Sequence, residues 1–287
     1  MADESEPTPP RRGPWRLVAI VTIPIAVILA AILLVVLLTG RNGQTTEPPD
    51  PTPTDTTSTE PAPTEPRPQL ERDGIVWAGS GGPQESTYGP TKSDGALLYG
   101  YSQTLEGCVM AAINYNQVLS STAIYVDDQR HRIYEHLYYG REDYQGFTDE
   151  EVAAARERLG LSDQGIPRDS SQTFYSDVYM NLGAYQVVDY TGNTQCRVQM
   201  WAPMVSGVGT TLADLTVIWG ITDRSLAWKD GDWRIVGGEP FREGPYPPGD
   251  PTQVNTSYED RAEAVGTTGW RLVANATTEW PSQLPEE

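Results

Sequence analysis

The sequence predicts an α+β domain that follows a membrane-spanning helix and a proline- and threonine-rich linker. Three observations support this: an uncharged apolar run near the N-terminus, helical spacing of apolar residues between about 104 and 159, and a strand-like alternation after Tyr175. Helices that precede a run of antiparallel strands are typical of α+β domains. The predicted divisions are a tail (1–16), a transmembrane helix (17–39), a linker (40–72) and an outer domain (73–287) with its core at about 84–240 and an extended C-terminal segment at 241–287.

The run Leu17–Leu38 contains no charged residue. A helix of roughly 20 apolar residues crosses the hydrocarbon core of a bilayer, whereas the apolar core of a signal peptide is only about 7–15 residues long. Three arginines precede the run within the tail, and only Arg41 follows it closely. Because positively charged flanks stay in the cytoplasm, the sequence predicts a single-pass cell-membrane protein whose N-terminus is cytoplasmic and whose C-terminal domain is extracytoplasmic.

The linker is rich in proline, threonine and acidic residues and has almost no large apolar side chain. Such a composition cannot bury enough surface to offset the entropy of ordering. We expect a disordered, extended stalk between the membrane and the outer domain.

Overall composition excludes one class of partner and one class of scaffold. The formal charge of −19 argues against a nucleic-acid-binding surface. Two cysteines are too few for a disulfide scaffold, so the outer domain must depend on a hydrophobic core.

Three helices are predicted in the first part of the outer domain. The first extends from Thr104 as N-cap to about Ser121, and the second follows Asp127 or Asp128. The third opens with a capping box that begins at Thr148. The residues that define the apolar faces of these helices are Leu105, Cys108, Val109, Ala112, Tyr115 or Asn116, Leu119, Ile133, Tyr134, Leu137, Tyr138, Val152, Ala155 and Leu159.

Beyond Tyr175 the apolar period changes to two, which is typical of half-buried antiparallel strands. Strands are predicted around Tyr185–Tyr190, Gln195–Trp201 and Leu215–Thr222. After the proline-rich segment near the end, Gly269–Val273 is predicted to return as a further strand.

The segment Leu226–Ile235 has the strongest local signal in the domain. Its central Asp-Gly pair is the preferred sequence of a type I′ hairpin turn. The resulting register places Trp228 opposite Trp233 and Lys229 opposite Asp232, which predicts an aromatic pair on one face and an ion pair on the other.

Candidate catalytic groups are few. The chain has two histidines, His131 and His136, whose spacing does not place them on one helix face as zinc binding would require. His131 could form a dyad with Asp127 or Asp128, or be a plain surface residue. The acids that could act as a base in a pocket are Asp189, Asp214 and Asp223, and the aromatics that could line it or fill the core are Tyr115, Tyr134, Tyr138 and Trp219. We expect no catalytic residue, no metal and no cofactor.

The two cysteines are predicted to face the same core. Cys108 lies on the apolar face of the first helix, and Cys196 shares a strand face with Val198 and Met200. A disulfide and a pair of buried thiols both remain open, since a bond also requires the two Cα atoms within about 7 Å.

Several short motifs resemble an uncharacterised family of actinobacterial single-pass membrane proteins. They are Gly89-Pro90-Thr91, Gly100-Tyr101, the helix segment Gly107–Tyr115, the element Trp228–Trp233 and the stretch Gly269–Trp280. Together with the order of elements, this resemblance implies a nuclear-transport-factor-2-like outer domain, in which three helices pack into the concavity of a curved antiparallel sheet to form a cone.

The same likeness extends to inner-membrane bridge proteins of conjugation and secretion machines and to Mce-associated membrane proteins. It implies a non-catalytic scaffold that contacts other envelope proteins of a transfer or secretion apparatus and that could form homo-oligomers. The alternatives are a small-molecule or lipid-binding envelope protein and an enzyme with its site in the cone pocket.

Overall fold

The computed structural model describes residues 68–77, 87–139, 146–239, 241–249 and 256–279. The chain divides into two compact units, 1–64 and 65–287, and all described residues belong to the second. None of the helices in these ranges is long and apolar enough to cross a membrane. The predicted tail, the predicted span Leu17–Leu38 and most of the linker lie outside the described residues.

The described part is an α+β domain with four α-helices on a mostly antiparallel sheet. The helices are α1 (Leu105–Leu119), α2 (Asp127–Leu137), α3 (Asp149–Leu159) and α4 (Tyr258–Val265). The strands are β1 (Glu71–Arg72), β2 (Lys92–Asp94), β3 (Leu97–Tyr99), β4 (Thr173–Val178), β5 (Ala184–Thr191), β6 (Gln195–Gly209), β7 (Thr216–Lys229), β8 (Asp232–Gly237), β9 (Arg242–Glu243) and β10 (Trp270–Leu272). The three predicted helices are confirmed, and α4 was not predicted.

Strands β6 and β7 form the long central hairpin of the main sheet. The strand order is β1-β10-β5-β6-β7-β8, with β4 beside β6 and β9 beside β7. Only the β1–β10 pair is parallel among these neighbours. The register shifts between Val187 and Asp189 and between Ser225 and Leu226, and such irregularities bend a strand and increase its twist.

The ordered domain begins before Asp73. Leu70 is buried, and Glu71–Arg72 pairs with the C-terminal strand β10. The backbone N–H of Asp73 donates to Leu272 O at 2.8 Å, and Asn275 bonds both backbone groups of Trp77. The end of the chain therefore fixes the segment that enters from the linker, and the returning strand predicted at Gly269–Val273 is confirmed.

Helix α1 is buried on all sides, which differs from the predicted single apolar face. Every residue from Gly107 to Val118 is buried. Two of its polar side chains donate hydrogen bonds: Asn114 Nδ2 donates to Met110 O at 3.1 Å, and Gln117 Nε2 donates to Asp177 at 3.4 Å. Buried polar groups are tolerated when they are hydrogen-bonded, so α1 forms the centre of the core.

The predicted packing of the two cysteines in one core is observed. Cys108 on α1 and Cys196 on β6 are both buried. They are joined in a disulfide, with Cα atoms 6.7 Å apart. This bond fastens the central helix to the central strand of the sheet.

Asp177 is a half-buried carboxyl on β4, the strand that pairs only with β6. Burial raises the pKa of Asp177 to about 6, although the backbone N–H of Val178 and the Gln117 amide donate to it and oppose the rise. A raised pKa means that this site stabilises the fold below about pH 4, where the carboxyl is protonated in both the folded and unfolded states. That contribution is lost as the pH increases through about 6.

We therefore expect Asp177→Asn to increase the free energy of unfolding at pH 8 by about 2 kcal/mol and to leave it unchanged at pH 4. Urea unfolding at the two pH values tests this. The matched control is Asp189→Asn, because Asp189 is an exposed carboxyl on β5. A loss of stability at pH 8 would show that the ionised carboxylate is required.

Candidate functional site

A groove follows α2 and opens towards the β7–β8 hairpin. One part, which we call the aromatic cleft, has a volume of about 900 Å³. The adjoining part, the arginine niche, has a volume of about 370 Å³. Glu135 and Arg234 line both parts, so the groove is continuous along one side of the helix. Its lining comes from α2, from residues before and at the start of α3, and from the strands β2, β3 and β8.

The aromatic cleft exposes two large apolar side chains. Tyr139 is 44% exposed and Phe147 is 42% exposed. Behind them, the rings of Tyr134 and Tyr138 meet edge to face with centroids 5.8 Å apart. Two hydrogen bonds fix the backbone at these two residues. Tyr139 N–H donates to Ile235 O at 3.2 Å, and Phe147 N–H donates to the Tyr134 hydroxyl at 3.1 Å.

One polar wall of the cleft links α2 to α3. His131 Nε2 lies 2.8 Å from Asp149 Oδ1, and a guanidinium nitrogen of the buried Arg130 lies 2.5 Å from the same oxygen. Arg130 also bonds Asp127 at 2.8 Å. The hydrogen bonds from His131 and Arg130 hold the pKa of Asp149 below its usual value. The histidine partner is thus Asp149, so the alternative that paired His131 with Asp127 or Asp128 is wrong. The other alternative, a surface histidine, agrees with a side chain that is 55% exposed.

The arginine niche collects three basic side chains from two elements. Arg132 and His136 are four residues apart on α2, a spacing that places them on one helix face, and Arg234 comes from β8. The His136 ring packs against Tyr99 of β3, with centroids 4.3 Å apart. Asp94, Leu97 and Glu135 complete the lining.

Beneath the niche, Asp232 joins three parts of the chain. The carboxylate is buried and accepts the backbone N–H groups of Gly100 (2.8 Å), Tyr101 (3.2 Å) and Trp233 (2.9 Å). His136 Nε2 lies 3.5 Å from it. Burial alone would raise the pKa of Asp232, but the His136 contact and the three N–H donors outweigh burial and lower it.

The hairpin register is confirmed, whereas the predicted ion pair is wrong. Lys229 is opposite Asp232 and Trp228 is opposite Trp233, as the Asp-Gly turn predicted. However, the Asp232 carboxylate turns to the backbone at Gly100 and Tyr101, and Lys229 Nζ lies 5.0 Å from the ring centroid of Tyr139. The Asp232 carboxylate is therefore held by buried backbone N–H donors and not by the half-buried Lys229.

The three candidate pocket acids are not brought together. Asp189 is exposed on β5. Asp214 accepts the backbone N–H groups of Thr210 and Thr211, which lower its pKa and assign it to a turn. Asp223 is buried and receives the guanidinium of Arg197 at 2.8–3.0 Å. Each acid has its own structural contact or faces solvent, so they do not form a shared site.

The four candidate pocket aromatics divide between core and cleft. Tyr115 and Trp219 are fully buried, and the Tyr115 hydroxyl donates to Trp233 O at 3.0 Å. Tyr134 and Tyr138 line the aromatic cleft. In the described ranges, no group of three or more His, Cys, Asp or Glu residues is placed to hold a metal ion.

Sequence reasoning did not identify the arginine niche. The i,i+4 spacing of Arg132 and His136 was a usable signal for a shared helix face. Arg234 gave no local signal, because only the tertiary fold brings β8 beside α2. Tyr139 and Phe147 lie at or beyond the end of one helix and before the next, where no periodicity indicates a shared surface.

The chain matches the model of a domain of unknown function, DUF8175, over residues 39–259. Neither a curated protein nor a solved structure matched the chain. The matched span includes the whole groove and ends within α4. Because it covers well over half of the sequence, the chain belongs to the DUF8175 family.

Proposed function

We propose that the domain is a non-catalytic docking module that binds another envelope protein through the aromatic cleft. The single observation that carries this proposal is that Tyr139 and Phe147 are both exposed in the aromatic cleft. Aromatic side chains are enriched where proteins bind each other, and they act best in pockets that exclude water. A cleft with fixed backbone and two exposed rings offers that kind of anchor.

The proposed setting is the outer face of a cell membrane. The predicted span Leu17–Leu38 would restrict the domain to the membrane, and the linker would set its reach. The Cys108–Cys196 disulfide supports this location, because disulfides persist mainly in oxidising compartments. The partner would be a component of a conjugative-transfer or secretion apparatus, as the family resemblance suggests.

The finer description of the fold is part of the same proposal. A nuclear-transport-factor-2-like cone places a helix in the concavity of a curved sheet. The complete burial of α1 and the two register shifts in the sheet support that description. Every residue of α1 from Gly107 to Val118 is buried, which favours contact through a surface groove over an internal reaction chamber.

The groove supports docking better than catalysis. A general base near neutral pH needs a pKa matched to that pH. Asp149, the acid nearest to a histidine of the cleft, instead has a lowered pKa because Arg130 and His131 bond it. Arg130 and His131 share this carboxylate, so the His131–Asp149 contact is better suited to fixing α3 against α2.

A paired substitution in the aromatic cleft tests the docking function. We expect Tyr139→Ser with Phe147→Ser to reduce DNA transfer or secretion at least tenfold in the native host, because loss of an aromatic anchor typically costs about 1–2 kcal/mol or more per residue. Ile166→Ser is the matched control, since Ile166 is 61% exposed and lies outside the groove. Protein abundance should be equal in all strains.

A photo-crosslinker at position 147 separates the rival functions. Docking predicts a crosslink to one envelope component, and Tyr139→Ser should abolish it. A crosslink only to a second copy of the chain would instead assign the cleft to homo-oligomerisation. Normal transfer or secretion by the doubly substituted chain would contradict the proposal, and loss of function from Glu135→Gln with the crosslink intact would favour a pocket enzyme or a small-ligand site.

A further inference from the structure

We propose that the arginine niche is an anion-binding site that takes the phosphate or carboxylate group of a small ligand. This goes beyond docking at the aromatic cleft and does not depend on it. The site consists of Arg132 and His136 on α2 and Arg234 on β8. Two guanidinium groups and an imidazole that face one cavity match the oxygen atoms of such an anion.

Of the twelve arginines in the described ranges, five form an ion pair with a described carboxylate, and the two of the niche are not among them. Neither Arg132 nor Arg234 forms an ion pair with a described acid, although the chain has 39 acidic and 20 basic residues. The arginines that do pair with a nearby carboxylate are Arg130, Arg156, Arg168, Arg197 and Arg271. Arg132 and Arg234 line one cavity without an ion pair to any described acid, so both guanidinium groups remain available to an anion from solution.

The niche is organised before any ligand arrives. Asp232 lies 3.5 Å from His136 and is itself fixed by three backbone donors. Tyr99 supports the other side of the imidazole ring, and Lys92 Nζ lies 5.8 Å from the centroid of Tyr99. A site supported by a second layer of fixed contacts loses less entropy when it binds.

The acids of the niche restrict the rest of the ligand. Asp94 and Glu135 line the same cavity as the three basic groups. A second anionic group near them would be repelled, whereas a hydroxyl or ammonium group could donate to their oxygens. We therefore expect a ligand with one oxyanion and a body that carries hydrogen-bond donors. A volume of about 370 Å³ is at the small end of ligand pockets.

Histidine NMR of the full chain in detergent micelles tests the proposal directly. The chain has only two histidines, so ¹³C-labelled imidazoles give two signals, and His131→Gln assigns them. Inorganic phosphate or acetate is titrated at constant ionic strength, with chloride as the reference. We expect a saturable shift of the His136 signal and none of the His131 signal. Tighter binding of phosphate would assign a phosphate ligand, and tighter binding of acetate a carboxylate ligand.

Charge-neutral variants identify the residues that bind. Arg132→Gln and Arg234→Gln should each weaken binding about tenfold, because each variant loses a charge-assisted hydrogen bond to the anion. Arg158→Gln removes the same charge from an exposed position on α3 and should have no effect. An unchanged His131 signal reports that each variant is folded. Absence of a saturable shift, or equal weakening by Arg158→Gln, would overturn the proposal.

Discussion

Removal of the Cys108–Cys196 disulfide is expected to lower the free energy of unfolding by about 4 kcal/mol. The two cysteines are separated by 88 positions in sequence, and a cross-link over so long a loop removes much of the entropy of the unfolded chain. The bond also joins the fully buried helix α1 to β6. Typical domains are stable by only about 5–15 kcal/mol, so the loss would be a large part of the total.

Urea unfolding of the full chain in detergent micelles, with and without reductant, measures this effect. The double variant Cys108→Ala with Cys196→Ala should unfold at the same urea concentration as the reduced wild-type chain. Reductant should not affect the double variant, which serves as the control. Two thiols that react in the denatured, unreduced protein would show that the bond is absent and would contradict the expectation.

Local sequence signals predicted local structure well. The capping box from Thr148 to Glu151 begins α3 as expected, because side chain and backbone satisfy each other's donors within one turn. The Asp230-Gly231 turn fixes the register of β7 and β8, since both residues adopt positive φ. A comparable signal was missed at Ser257 and Asp260, whose capping box begins α4, because the short segment that follows has few apolar residues.

The lengths of the central strands depend on tertiary contacts. Strand β6 was predicted only to Trp201, yet it continues through Pro203 to Gly209. Proline lacks a backbone N–H and is normally unfavourable inside a sheet. Here β5 pairs with β6 up to Trp201 and β4 begins to pair at Met204. Pro203 lies between these two partners, where no ladder N–H is required on that side, and only the arrangement of the sheet reveals this.

The burial of polar residues on α1 also depends on tertiary contacts. Asn114, Asn116 and Gln117 are all buried, although the sequence predicted only a single apolar face for this helix. Their partners, such as Asp177 of β4 and Arg224 of β7, are far away in sequence. The groove likewise combines α2 with β8 and β3, so its composition follows from packing and not from any one segment.

Three of the five motifs that carried the family resemblance are connected to one another around the Asp232 carboxylate. Ser102 N–H donates to Tyr88 O at 2.9 Å, which places the segment that leads into Gly89-Pro90-Thr91 beside Gly100-Tyr101. The backbone of Gly100 and Tyr101 then donates to Asp232, and the indole of Trp233 donates to Ser102 O at 2.9 Å. The role of Asp232 is thus to connect the hairpin to the segment that leads into α1.

Asp232→Asn is accordingly expected to lower the free energy of unfolding by about 3 kcal/mol at pH 7, because it removes charge-assisted bonds and places an amide against buried N–H donors. The matched control is Asp230→Asn in the same hairpin, where the side chain is exposed and a change within about 0.5 kcal/mol is expected.

Since the pKa of Asp232 is lowered, its contribution is present above the unfolded pKa of about 3.9 and is lost as the pH falls through the folded value. Urea unfolding at pH 7 and at progressively lower pH should therefore show the difference between wild type and Asp232→Asn shrinking below about pH 4. Equal stability of the Asp230→Asn and Asp232→Asn variants at pH 7 would show that the three backbone bonds do not depend on the charge.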